Sequence, residues 1–396
     1  MRPASVVLVS VATALLGALA AIGIGTAAGW IGDTDTVIVG AQDTSSGDPA
    51  SAPLRGAAKP LVGGDFEPAA IYQARSPGVV TIFAFFGDEQ DDAAGASQGS
   101  GFVVSTDGLV LTNSHVVTTA GESAGAARSA RTVYVQFADG DRVPGAIVGY
   151  DPFTDVAVLR VDRAAHRLSA VPLGDSSAVV VGEPVAAIGS PFGNESSLTV
   201  GVVSATKRSI ASLTSIYNVV DAIQIDAPIN RGNSGGPLFD ARGRVIGINA
   251  QIRTETGQNE GVGFAIPINA AKRSLEQLVA SGTVHYAYVG VTTSDLTPTL
   301  ARRFRYPVLR GAVVNVVREH SPAARAGIRP AEREEEFNGL NFPVGGDVIV
   351  GIDGQEVRSA DDVVRLVTGL EPGQIAVFTL VRDGKRTRVA VRLGER

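Results

Sequence analysis

The 396-residue chain has no cysteine. That absence removes disulfides, cysteine nucleophiles and thiolate-bound metals together. Histidine is almost as scarce, with His115, His166, His285 and His320 scattered along the chain, so no metal site is expected. Basic clusters are missing too. The 34 lysines and arginines are spread out and outnumbered by 40 acidic residues, and the net charge of −6 argues against a nucleic-acid partner. Charged residues make up only 19% against 44% apolar, which excludes a mostly disordered chain. Long helical periodicities are few, whereas 47 glycines and many valines favour a β-rich protein of two or three domains.

The one long hydrophobic run lies at the N-terminus. Residues 3–32 carry no charge, Arg2 precedes them, and Asp33 and Asp35 follow. A spanning helix needs about 20 apolar residues, more than a cleaved signal requires. Residues 1–32 therefore read as a signal-anchor with its N-terminus in the cytoplasm, leaving the rest of the chain outside. Ala18-Leu19-Ala20 is an acceptable cleavage site, so a removed signal peptide stays open, with a secreted or periplasmic product. Residues 33–66 are rich in Gly, Ala, Ser, Asp and Pro and read as a flexible linker.

From Glu67 onward the pattern changes. A short helix over 68–74 leads into the strand Val79–Phe86, and four-to-seven-residue apolar runs then recur at 101–104, 109–112, 132–137, 143–149 and 156–161. After Pro172 a second series follows at 185–188, 198–204, 222–225, 245–250 and 263–266. Two sets of short strands joined by Gly, Asp and Pro turns predict two packed antiparallel barrels. A helix closes the unit, with Asn269 as its cap, Leu275, Leu278 and Val279 as its apolar stripe, and Gly282 as its stop. The last part, residues 284–396, reads as a separate mixed α/β unit. Ser321-Pro322 starts a short helix, Ser359 with Asp362 forms a capping box, and Asp353-Gly354 and Asp383-Gly384 supply turns. Between Gly327 and Gly346 lies an acidic insertion containing Glu334, Glu335 and Glu336.

Three stretches carry chemistry. Asn230-Arg231-Gly232-Asn233-Ser234-Gly235-Gly236-Pro237 surrounds one serine with glycines, which let a reacting carbonyl approach both a hydroxyl and backbone N–H groups. Alone, it would read equally well as a Gly-rich turn. Thr112-Asn113-Ser114-His115-Val116-Val117 places a histidine just past a strand, where loops present functional groups. Asp155, in Asp151-Pro152-Phe153-Thr154-Asp155, opens an apolar strand and could orient that imidazole if partly buried. The order His, Asp, Ser is that of chymotrypsin-like enzymes.

In this order, and followed by a C-terminal unit, the three stretches resemble the HtrA (Deg) family of serine proteases over roughly residues 67–393. The resemblance implies a mainly β chain: a chymotrypsin-like double-barrel protease domain at 67–283 and one PDZ domain at 284–396. It implies His115 as general base, Asp155 as its orienter and Ser234 as nucleophile. Gly232 and Ser234 would form the oxyanion hole, and Ile229 would line a pocket for small or medium aliphatic side chains. Tyr288-Val289-Gly290-Val291 resembles the PDZ loop that holds a peptide's C-terminal carboxylate. The implied activity is ATP-independent cleavage of misfolded or damaged extracytoplasmic proteins, with no cofactor. The family implies a homotrimer contact near Ile71 and Tyr72, and a switchable loop at 253–261. The rival readings are a peptide-binding or chaperone scaffold without catalysis, and a regulatory protease with one dedicated substrate.

Overall fold

A computed structural model describes residues 66–87, 95–119, 128–190, 197–211, 214, 218–230, 232–250 and 261–396. The N-terminal apolar run, the linker and positions 253–260 of the expected switch loop lie outside them. Among the described residues no helix is long and apolar enough to cross a membrane.

The chain opens with α1 (Pro68–Arg75) and then forms β1 (Val79–Phe85), β2 (Ala96–Val103), β3 (Leu109–Thr112), the single turn α2 (Ser114–Val117), β4 (Thr132–Gln136), β5 (Arg142–Asp151) and β6 (Val156–Val161). These six strands close into a barrel in the order β1-β2-β3-β6-β5-β4. A second barrel follows from β7 (Pro184–Gly189), β8 (Ser197–Ala211), β9 (Asn218–Ile225), β10 (Pro237–Phe239), β11 (Val245–Ala250) and β12 (Gly263–Pro267), in the order β10-β11-β12-β9-β8-β7. Closure removes the open edges that would otherwise invite aggregation.

Packing explains why some strands read as unbroken apolar runs. Successive side chains point to opposite faces. On β6, Ala157 and Leu159 fill barrel one while Val156 and Val158 face the junction between barrels. On β7, Val185 and Ala187 fill barrel two while Ala186 and Ile188 meet that same junction. Both faces are buried from Val156 to Leu159 and from Val185 to Ile188, so no polar residue alternates within those runs. The helix α3 (Ile268–Ser281) seals the junction with Ile268, Ala271 and Leu278, and Gly282 ends it at φ 78°.

Two details of α3 depart from the sequence expectation. Asn269 does not cap it: the helix begins at Ile268, and the Asn269 amide bonds Asp175 at 2.6 Å and accepts from the Ser176 N–H at 3.4 Å. The apolar stripe runs through Ile268, Ala271 and Leu278, so Val279, one residue and about 100° further round, is 42% exposed. Ile71 of α1, expected near a subunit contact, is packed into the inter-barrel core.

The C-terminal part contains β13 (Ala287–Tyr288), β14 (Val291–Leu296), α4 (Pro298–Arg303), β15 (Gly311–Val317), α5 (Pro322–Arg325), β16 (Arg333–Phe337), β17 (Leu340–Val344), β18 (Val348–Ile352), β19 (Gln355–Glu356), α6 (Ala360–Thr368), β20 (Ile375–Arg382), β21 (Lys385–Arg392) and β22 (Gly394–Glu395). Its main sheet runs β14-β15-β18-β20-β21, with β19 beside β18. Ser321 and Ser359 cap α5 and α6, the latter through a complete capping box with Asp362. The acidic insertion is an ordered hairpin, β16–β17. Its turn is Asn338-Gly339 at φ 54° and 78°, the pair that a two-residue hairpin favours. Phe342 stacks on Phe304 with ring centroids 5.5 Å apart, which fixes the hairpin against the chain just after α4.

Candidate active site

Asp155 is the anchor of the site. It sits between β5 and β6 in the left-handed region, φ 56°, and its side chain is only 6% exposed. A buried carboxylate must be hydrogen-bonded or it costs several kcal/mol. Here Oδ1 accepts from the Ser114 hydroxyl at 2.8 Å and from the His115 N–H at 2.9 Å. Oδ2 lies 2.7 Å from His115 Nδ1. The Asp155 carbonyl also accepts from the Asn113 side-chain amide at 2.8 Å and from the Ser114 N–H at 3.2 Å. Residues 113–115 thus clasp Asp155 through both its side chain and its backbone.

With Oδ2 on Nδ1, that nitrogen carries the proton and Nε2 is the acceptor, the tautomer that general-base chemistry needs. Burial alone would push the His115 pKa down; the Asp155 charge and hydrogen bond outweigh it, and His115 titrates above its ordinary value.

Ser234 comes from the other barrel, on the turn before β10, and is buried. Its loop is pressed onto barrel one where glycines leave room. A Cβ on Gly99 would lie 2.6 Å from a Val116 methyl and 3.1 Å from the Ser234 carbonyl. A Cβ on Gly235 would lie 2.4 Å from the Thr112 hydroxyl and 3.2 Å from the Asn113 N–H. The residues flanking Ser234 therefore touch the segment that leads into His115. Gly232 and Gly235 take φ 99° and 86°, which other residues resist.

Ser100, on β2, holds this loop, and the sequence reading passed over it. It is fully buried; its N–H donates to the Ser234 carbonyl at 2.8 Å and its hydroxyl to the Gly232 carbonyl at 2.5 Å. The same hydroxyl accepts from the Ser190 N–H of barrel two at 2.9 Å. A small polar residue between two glycines, Gly99-Ser100-Gly101, just before the apolar pair Phe102-Val103, was the available signal.

Ile229 is buried; the nearest atom to a Cβ on Gly263 would be its Cγ1, at 2.9 Å. The other predicted binding residues lie in the C-terminal part. Tyr288 ends β13, Val289 is buried, and Gly290 at φ 84° lies where a Cβ would fall 2.3 Å from the Ser321 Cβ. The Val289 and Gly290 carbonyls accept from Ala323 and Arg318, both at 2.9 Å, so the Tyr288–Val291 segment rests on the approach to α5. Val291 starts β14, the edge strand of its sheet, and α6 is tied to that strand by the Ala360 N–H on Asp295 at 2.7 Å.

Three outcomes follow from this geometry. In a peptide-hydrolysis assay, Asp155→Asn is expected to lower kcat about 10⁴-fold, because the amide no longer selects the right tautomer. The acid limb of kcat/KM in the unaltered protein is expected above the pH of an ordinary histidine, since a histidine acting as general base must be neutral and the His115 pKa is raised. Ser100→Ala is expected to lower kcat about 10-fold or more with KM little changed, less than the about 10²–10³ lost with an oxyanion donor itself.

Residues 99–248 match a trypsin-like peptidase domain and residues 287–393 a PDZ domain. A probable periplasmic serine endoprotease, DegP-like, from Pseudomonas putida is 41% identical over 308 residues, covering 78% of this chain and 58% of that protein. A counterpart from Hahella chejuensis is 40% identical over 314 residues, covering 78% and 60%. The chain thus spans about three fifths of the length of these relatives. A solved structure of the HtrA-type protease AlgW with tripeptide superposes with a TM-score of 0.68 at 34% identity, covering 83% of this chain and 97% of that one. The serine endoprotease from Yersinia pestis superposes at 0.58 and 28% identity, over 83% and 98%. With both barrels, the His115–Asp155 pair and the PDZ match in place, the chain belongs to the HtrA-type serine proteases.

Proposed function

We propose that the chain is an ATP-independent serine endopeptidase in which Ser234 is the nucleophile, His115 the general base and Asp155 its orienter. The observation that supports this most is the 2.7 Å contact of a buried, fully engaged Asp155 carboxylate with His115 Nδ1. As Ser234 attacks a peptide carbonyl, His115 Nε2 takes its proton and later returns it to the leaving amine, while Asp155 stabilises the imidazolium. The N–H groups of Gly232 and Ser234 receive the developing oxyanion. Ile229 bounds a pocket for small or medium aliphatic side chains. The scheme uses no cofactor.

The substrates we infer are misfolded or damaged extracytoplasmic proteins, in keeping with DegP-like relatives named as periplasmic. We place the protease domain at 67–283 and the PDZ domain at 284–396. In the latter, Tyr288–Val291 would hold a peptide's C-terminal carboxylate while the peptide adds to the edge of β14 beside α6. Residues 1–32 would tether a homotrimer to the cell membrane through the linker 33–66, or be removed to leave a periplasmic enzyme.

The test is to incubate the full chain and its Ser234→Ala variant with an unfolded protein and follow fragments by mass spectrometry. Cleavage by the unaltered chain alone, after small aliphatic residues, is the expected result. Cleavage by neither would instead support a peptide-binding scaffold.

A further inference from the structure

A second carboxylate, four residues before Asp155, is buried and takes no part in the chemistry above. Asp151 ends β5 and is 0% exposed. Its carboxylate accepts from the N–H groups of Phe153 at 3.0 Å and Thr154 at 3.4 Å, and from the hydroxyls of Ser274 at 2.7 Å, Thr154 and Tyr286. These donors come from three places: the turn itself, α3, and the start of the C-terminal part.

Tyr286 is more than a linker residue. Its backbone pairs in both directions with Arg396, at 3.1 and 3.0 Å. Its ring meets Phe153 edge-on at 5.4 Å, and the Arg396 guanidinium stands 5.6 Å above the same Phe153 ring. Both ends of the C-terminal part therefore rest on the 151–155 turn. Burial and the adjacent Asp151 push the Tyr286 pKa up, so its hydroxyl keeps its proton and stays a donor.

That turn delivers Asp155 in the left-handed region, a conformation that persists only when its surroundings over-determine it. Removing one donor from a buried carboxylate leaves that charge under-satisfied and the turn free to relax. We propose that Asp151 is a positioning residue for the triad carboxylate, and that Tyr286 supplies one of its donors from the PDZ part, so that docking of the two parts adds to the hold that residues 113–115 have on Asp155. The inference rests on the triad assigned above. Asp151 touches no reacting atom and acts through residues 152–155.

The test uses the full chain and a short amidated peptide substrate, which offers the PDZ part no C-terminal carboxylate. Tyr286→Phe keeps the ring on Phe153 and removes only the hydroxyl. Its kcat is expected to fall about 10-fold or more, toward the about 10²-fold that an ångström of misplacement costs, with KM unchanged. The acid limb of kcat/KM should also move to lower pH, because a loosened Asp155, the acid bonded to His115, supports the imidazolium less. Ser274→Ala, which withdraws a donor from the same carboxylate without touching the domain boundary, should move both quantities the same way. It reads the proposal even if the Tyr286 variant fails to fold.

Folded variants with unchanged kcat and pH midpoint, or with a change in KM alone, would overturn the positioning role while leaving the triad intact. An unaltered chain no more active than Ser234→Ala would overturn the triad assignment, and this proposal with it.

Discussion

The site depends on one buried charge. Asp155 is removed from water and compensated almost entirely by residues 113–115, which give its side chain two further donors besides the imidazole. That arrangement costs desolvation and returns geometry. With Oδ1 occupied by Ser114 and the His115 N–H, Oδ2 has one job left, and it holds Nδ1. The imidazole is fixed in tautomer and direction before any substrate arrives, which is the preorganisation that catalysis by differential binding requires.

The second constraint is how closely two barrels can approach. Ser234, the proposed nucleophile, and His115, its proposed base, lie on different barrels, so the distance between them is set by packing rather than by local sequence. Glycines at 99 and 235 remove the atoms that would keep the barrels apart, and Ser100 fastens the contact with hydrogen bonds to both sides of the Ser234 loop. Between the barrels, Val156, Val158, Ala186 and Ile188 form a shared core, so the cleft is anchored by the hydrophobic packing that also stabilises the fold. The C-terminal part adds to this frame through Tyr286, and α6 approaches β9 through Arg365 and Asp221 at 3.7 Å.

Much of this was legible in the sequence, and the reasons are specific. The strands of both barrels announced themselves as short β-branched runs between Gly, Asp and Pro turns. The caps at Ser321 and Ser359 and the turns Asp353-Gly354 and Asp383-Gly384 stand as read, because they are local rules. His115 and Asp155 were nameable because they sit at strand ends in the order, relative to Ser234, of the chymotrypsin-like enzymes. Less legible were features that depend on partners distant in sequence. Asn269 looked like a cap until Asp175 and Ser176, far away along the chain, competed for its amide. The three-residue strand β10, missing from the expected strands, begins only at Pro237, the last residue of the glycine-rich stretch around Ser234. Asn338-Gly339 was a legible hairpin signal, but the acidic run beside it drew attention to charge instead. Ser100, set between glycines, and Asp151, the first residue of the stretch that ends in Asp155, show their importance only through hydrogen-bond partners distant in sequence.

Packing and the Asp155 clasp together would make one serine among many, Ser234, nucleophilic. Labelling the folded full chain with a fluorophosphonate, then locating the adduct by peptide mass mapping, tests it most directly. The account predicts a single adduct on Ser234, strongly slowed in Asp155→Asn and absent after unfolding. An adduct on another serine, or none on Ser234 under conditions where the protein is folded, would contradict it.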